Sequence, residues 1–243
     1  MYRNGAAFGG KSLSLSKMSV AMRPILLLMT LLLVACGSAS STDRLLAEVW
    51  ARDQQPRLQL QELTKAVTVE GRMALIDSLL VVVERVERLD AENMAVVDSL
   101  LQEGLPRGLS EASYKTIWIV IDHAELEVQE RYLPLIEEMA AAGLIARSEW
   151  AVLHDRVSMK NNRPQRYGSQ SVQFGKAERT QLYLWPVEAP ERLDSLRVTV
   201  GLSPLSDYLR QLTEAVGITA QYDPALTVEE LNAFRENQVP MTE

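Results

Sequence analysis

Histidine is scarce in this chain, and both copies stand next to acids. His123 lies between Asp122 and Ala124-Glu125 at the end of an apolar run, and His154 precedes Asp155-Arg156. An imidazole changes charge near neutral pH, so His123 is a candidate catalytic general base or acid. Neighbouring residues of a helix point about 100° apart, so Asp122 does not orient His123 by sequence position alone. The bland alternative is a half-buried histidine bonded to a backbone carbonyl. In the second group, His154 and Arg156 flank an apolar stripe of Trp150, Leu153 and Val157, and Asp155 points away from it. A partner for Asp155 must therefore come from another element. The polar segment Gln165-Arg166-Tyr167-Gly168-Ser169-Gln170 is close enough in sequence to fold back over that face. Asp155, Arg156, Gln165, Tyr167, Gly168 and Gln170 then form either a ligand-binding cluster or a structural clamp holding this turn to a helix. The planar guanidinium of Arg156 suits a carboxylate or a phosphate.

Other chemistries find less support. His123 and His154 with Asp155 or Glu125 have no close ligand pair at helical spacing, so no metal site and no cofactor are expected. Ser169 lacks the small-residue elbow of an acyl-transfer nucleophile, and there is no Gly-rich phosphate loop and no HExxH. Trp50, Trp118 and Trp150 sit on helical stripes, where core is the simpler reading. The chain carries −7 overall, which argues against a nucleic-acid partner.

The elements that must position these groups begin after a leader. Arg3, Lys11, Lys17 and Arg23 are the only charged residues among the first 35, and the remainder of the chain carries −11 without them. The apolar run Pro24–Ala35 is shorter than the ~20 residues a spanning helix needs. It ends in Leu33-Val34-Ala35-Cys36, with the only cysteine of the chain at the position where a lipobox requires it. Residues 1–35 read as a lipoprotein signal peptide, with Met1, Met18 or Met22 as the start, and Cys36 as the lipidation site. Residues 36–42 read as a flexible spacer. The expected partner is thus a membrane, reached through acyl chains. The absence of Asp after Cys36 resembles lipoproteins of the outer membrane facing the periplasm.

Beyond the spacer the pattern is mainly α: a multi-helix bundle with one small β-hairpin inserted near residues 167–185. Residues 43–103 read as N-terminal helices, 104–222 as a helical core domain carrying the hairpin, and 223–243 as a C-terminal helix and tail. A helix over 43–66 is expected to kink or end at Pro56. A second runs from Val69 to Gln102 and either packs on the core or extends as an arm. Ile117–Ile121 is apolar all round and reads as a helix buried on every side. The hairpin is expected to turn near Gly175-Lys176, and Thr227/Glu230 has capping-box spacing.

The order of motifs resembles an uncharacterised bacterial family, domain of unknown function 6624. The resemblance is carried by Asp53-Gln54 with Arg57, Asp90 with Asn93, Gly104-Leu105-Pro106, Asp122-His123-Ala124-Glu125, Asp155-Arg156, Gln165–Gln170, and Arg197 followed by Val200-Gly201-Leu202 and Tyr208. It covers about residues 50 to 210. Leu105 stands where the family has Trp, and His154 matches nothing in its pattern. The resemblance adds Arg57 and Arg197 to the candidate residues and implies no activity. Two readings follow from the residues. One is a lipid-anchored, periplasm-facing binding or interaction domain, with Arg57, Arg156 and Arg197 serving a protein or a small anionic ligand. The other is a cell-envelope hydrolase or transferase using His123 as general base.

Overall fold

Apolar residues recurring every three or four positions along much of the chain dictate helices, and a computed structural model shows how they pack. It describes residues 40–68, 70–174 and 181–238. The expected signal peptide, Cys36, the turn expected near Gly175-Lys176 and the last five residues lie outside them. Helix α1 spans Ser41–Thr68 and α2 Ile76–Leu101, after a 3-10 turn at Met73–Leu75. Helices α3 (Glu111–His123), α4 (Leu126–Ala141) and α5 (Arg147–Lys160) follow. Strands β1 (Ser171–Phe174) and β2 (Gln181–Leu184) lead to α6 (Leu193–Thr199) and α7 (Leu205–Val216). Strand β3 (Ala220–Gln221) and α8 (Val228–Gln238) close the order.

The expected mainly-α bundle with a small β element is what forms. Several details differ. Helix α1 does not end at Pro56 but continues through it to Thr68. Proline removes one intrahelical hydrogen bond, and here it is buried in a helix held along its length by α2. Of the residues expected in the spacer, Ser40 caps α1 and Ser41 and Thr42 lie in its first turn. Helix α2 begins at Ile76 and not near Val69. The hairpin pairs Ser171 with Leu184 and Phe174 with Gln181, antiparallel, and gains a third strand, β3, parallel to β2. Two residues carry no periodicity, so β3 left no signal in the sequence.

The main core joins Leu46 and Val49 from the start of α1 to Val97 and Leu101 from the end of α2, so these helices run antiparallel. Helix α3 fills the seam between them with Ile117 and Ile121, both fully buried, and α4 adds Ile136 and Met139. The all-apolar run 117–121 is helical, and only Ile119 is not fully buried. Asp43 fixes the relative direction of α1 and α3. Its carboxylate accepts from Ser110 N–H at 3.0 Å and Ser113 Oγ–H at 2.7 Å, at the N-terminus of α3. The Ser110 backbone bond, with Ser113 and Ser40, holds the Asp43 carboxyl well below the usual range. Helices α1 and α3 therefore start at one end and run parallel. Elsewhere Ser110 caps α3, Gly143 at φ +71° ends α4, and Thr227 and Glu230 form the expected capping box. Helix α8 covers the sheet through Val228 and Leu231 against Trp185. Among the described residues no helix is long and apolar enough to cross a membrane.

Candidate acid–base site

The stripe that α1 turns inward reads Leu46, Val49, Asp53, Pro56, and that of α2 reads Val82, Val86, Asn93, Val97. Polar groups interrupt both stripes at one level. Helix α3 ends there with His123. The result is a polar layer where three helices meet and α3 stops, so that the layer opens to solvent. Asp53 is almost sealed, with 1% of its side chain exposed, whereas His123 and Arg57 are each 21% exposed.

Asp53 organises the layer. Its Oδ1 lies 3.0 Å from His123 Nδ1, and its Oδ2 accepts from Gln54 Nε2 at 2.7 Å and from Arg57 Nε at 3.4 Å. Arg57 also donates to Asp90 Oδ1 at 2.6 Å, and its Nε stands 3.0 Å from His123 Nδ1. The two contacts at Nδ1 cannot both be hydrogen bonds, since Asp53 needs a proton on that nitrogen and Arg57 needs a lone pair. One arrangement satisfies every group. Nδ1–H donates to Asp53 Oδ1, while Arg57 Nε–H turns to Asp53 Oδ2 and its terminal nitrogen keeps Asp90. In the other tautomer, a nearly sealed carboxylate oxygen faces the lone pair of Nδ1 and loses its donor, which a buried carboxylate tolerates poorly. The Nδ1–H tautomer leaves the Nε2 lone pair outward. Nε2 has no hydrogen-bond partner among the described residues.

Burial acts to raise the Asp53 carboxyl, but the His123 bond and charge, Arg57 and Gln54 outweigh it, and the net direction is down. A depressed folded value means that Asp53 stabilises the fold above its unfolded pKa of about 3.9 and that this contribution fades as pH falls below it. The urea midpoints of wild type and Asp53→Asn should therefore differ most above about pH 5 and converge toward pH 3. A gap that widens on acidification would contradict this assignment.

Asp53, Asp90 and His123 present ligand-type atoms within 4.8 Å of one another. Arg57 bonds both carboxylates and stands against His123, so its guanidinium already holds the position of a cation. A divalent ion would have to displace it.

The other sequence candidates go elsewhere. Asp122 turns away from His123, as the 100° step dictates, and its buried carboxylate accepts from Arg156 Nε at 2.9 Å. Lys160 Nζ donates to the carbonyl of Ala124, just past the end of α3. Burial, then the charge of Arg156, draws the Lys160 amine down against the opposing pull of Glu125 and Asp122.

Asp155 is fully buried and accepts from the N–H groups of Arg166, Tyr167 and Ser169 and from Ser169 Oγ, all between 2.9 and 3.1 Å. Gln165 ties the same segment to β2, donating to the carbonyls of Gln170 and Trp185. Gln170 donates to Val152 O on α5. Gly168 is held at φ +64°, where a Cβ would meet Leu193 at 3.2 Å. Tyr167 packs edge-on against Trp150 and His154. These bonds hold the 165–170 segment to α5 and to the end of β2, as a structural clamp would. The three arginines do not share one ligand site. Arg57 serves the His123 layer, Arg156 pairs with Asp122, and Arg197 is 1% exposed and donates to the carbonyls of Tyr167, Gly168 and Ser203. Burial lowers the Arg197 guanidinium pKa, yet three carbonyls and no carboxylate hold it.

Sequence reasoning placed His123 at the site but missed Asp53 as its partner and Arg156 as the partner of Asp122. The available signal was the polar interruption of two apolar stripes at positions 53 and 93.

These features define a class: a helical bundle carrying a small three-stranded sheet, with a histidine–carboxylate–arginine layer at the end of its central helix. The chain belongs to a family of unknown function, DUF6624, whose model matches residues 44–221. No curated protein and no solved structure matches it.

Proposed function

We propose that this protein is a lipid-anchored enzyme of the bacterial cell envelope, a hydrolase or transferase in which His123 is the general base. The observation that carries the reading is the sealed Asp53 carboxylate on Nδ1, which directs the Nε2 lone pair outward from a 21% exposed ring. Nε2 takes a proton from an attacking water or hydroxyl as the new bond to the substrate forms. The imidazolium then returns that proton to the leaving group as the old bond breaks. Asp53 stabilises the imidazolium, and Arg57, fixed by Asp90, keeps Asp53 ionised. Asp155, Arg156 and Gln170 have no direct part in this scheme, because their hydrogen bonds are spent on the fold.

Cys36 attaches the chain to lipid, and Gly37 after it favours the outer membrane facing the periplasm. Incorporation of labelled palmitate into wild type and its loss in Cys36→Ser is the expected result. An unlabelled wild type refutes the anchor. The chemistry is tested on the full chain with ester, amide and phosphoester probes. Any turnover should fall about 10²–10⁴-fold in His123→Gln. Equal rates in the two proteins would remove His123 from the mechanism.

A second reading, a binding or interaction domain, is favoured by one observation. No Ser, Thr or Cys side chain bonds to His123 among the described residues, so the layer carries no nucleophile of its own.

A further inference from the structure

Helix α2 carries two seams. One, through Val82, Val86 and Val97, turns toward α1 and is buried. The other starts at Met73 in the preceding turn and repeats at steps of three and four through Ile76, Leu80, Val83, Glu87, Asp90 and Met94. Such spacing puts its members on one face of a helix. The inner end of that face is used: Met94 packs on the main core, and Asp90 takes Arg57 in the polar layer. Past the layer α3 has stopped, while α1 runs on to Thr68 and α2 extends back to Ile76. There the face is uncovered. Met73 is 60% and Leu80 53% exposed, and Ile76 and Val83 are half-buried.

Period and charge decide what fits. Apolar side chains spaced by three and four accept the matching stripe of another helix. From Ile76 to Glu87 the face is about 17 Å long, about three helical turns. Its charges are acidic: Asp77 and Glu84 flank the apolar residues on one side, and Glu87 continues their line toward the layer. All three are exposed, and none has an ion pair or a side-chain hydrogen bond among the described residues. Their neighbours Glu70 and Glu92 are paired, with Arg72 and Arg88. A second copy set antiparallel across Leu80 would bring Asp77 and Glu84 against the same acids of its mate, and an anionic bilayer would meet all three carboxylates, so both are repelled. We propose that this face binds a protein partner through an amphipathic helix, with Leu-type residues at three-four spacing and Lys or Arg beside them, laid past the end of α3 next to the His123 layer. The interaction goes beyond the acid–base reading and does not rest on it.

The probe is a fluorescein-labelled peptide of three heptads, with Leu at the two core positions, Lys at the two flanking ones and Ala elsewhere. It is added to the full chain in nanodiscs of zwitterionic lipid, with empty discs as the blank, and binding is read by anisotropy. The wild type should bind it and not a scrambled peptide of the same composition. Leu80→Glu should weaken binding about 10-fold or more. The double variant Glu84→Lys with Glu87→Lys should lose its preference for the Lys peptide and take one with Glu at the flanking positions. The face is overturned if the scrambled peptide binds equally well, if Leu80→Glu binds as the wild type does, or if the charge swap leaves the preference unchanged. A wild-type dimer in sedimentation that Leu80→Glu splits would assign the face to a second copy and overturn the proposal as well. Should Leu80→Glu fail to fold, the charge swap decides alone, since it changes only exposed side chains. Binding is read without turnover, so failure of the acid–base reading shows separately.

Discussion

Asp155→Ala should cost the domain about 3–5 kcal/mol, because it removes the charged partner of several buried donors at once. For a domain of this size that is a fall in Tm of roughly 10 °C. The carboxylate takes three consecutive-turn N–H groups and a hydroxyl, none of which has another acceptor in the structure. Alanine leaves the three amides without a partner in a space that excludes water. Asp155→Asn should lie between the two, since one carbonyl oxygen still accepts while its NH₂ faces donors. Thermal and urea unfolding measure both variants. An unchanged Tm in Asp155→Ala would show that the 165–170 segment does not depend on this carboxylate.

The second large effect is on the other side of the same turn. Arg197 holds the carbonyls of Tyr167 and Gly168, the residues whose neighbouring N–H groups Asp155 holds. A buried anion thus takes the amides of the turn and a buried cation takes its carbonyls. Arg197→Met fills a similar volume but leaves three carbonyls unmatched, Ser203 included. The expected loss is about 3 kcal/mol, and Arg197→Lys should recover only part of it, because a single ammonium cannot reach three oxygens in the geometry of a planar fork. In the double variant the losses should add to less than their sum, since a turn released from one side has little left to lose on the other. Strict additivity would mean that the two residues stabilise different structures.

Much of the fold was legible because the bundle follows a short-range rule. The stripes of α2, α4 and α5 repeat every three or four residues, and Ser110, Gly143 and the Thr227/Glu230 pair mark ends by local chemistry. Asp155 was legible for a related reason: an acid facing away from an apolar stripe, followed closely by a polar turn, has few places to go. What escaped was long-range. Asp53 and His123 are 70 residues apart, and no periodicity announces that α1 and α3 start together and meet again at that level. The clasp of Asp43 on Ser110 and Ser113 sets that meeting, and three polar side chains at helix ends give no hint of a common carboxylate. Pro56 does not end the helix, because packing along its length outweighs one lost hydrogen bond. The partners of the arginines escaped because they are found only in three dimensions: a carboxylate layer, a buried Asp122 and a set of carbonyls.

The central claim is that Asp53 fixes the proton of neutral His123 on Nδ1 and so presents Nε2 as a base. Long-range ¹H–¹⁵N correlation of the imidazoles tests it directly, and with only two histidines in the chain the assignment needs a single His154→Gln spectrum. At a pH where His123 is neutral, the account predicts the Nδ1–H form, with the ¹⁵N shift of Nε2 at the value of an unprotonated ring nitrogen. A neutral ring protonated on Nε2, with Nδ1 accepting from Arg57, would contradict it.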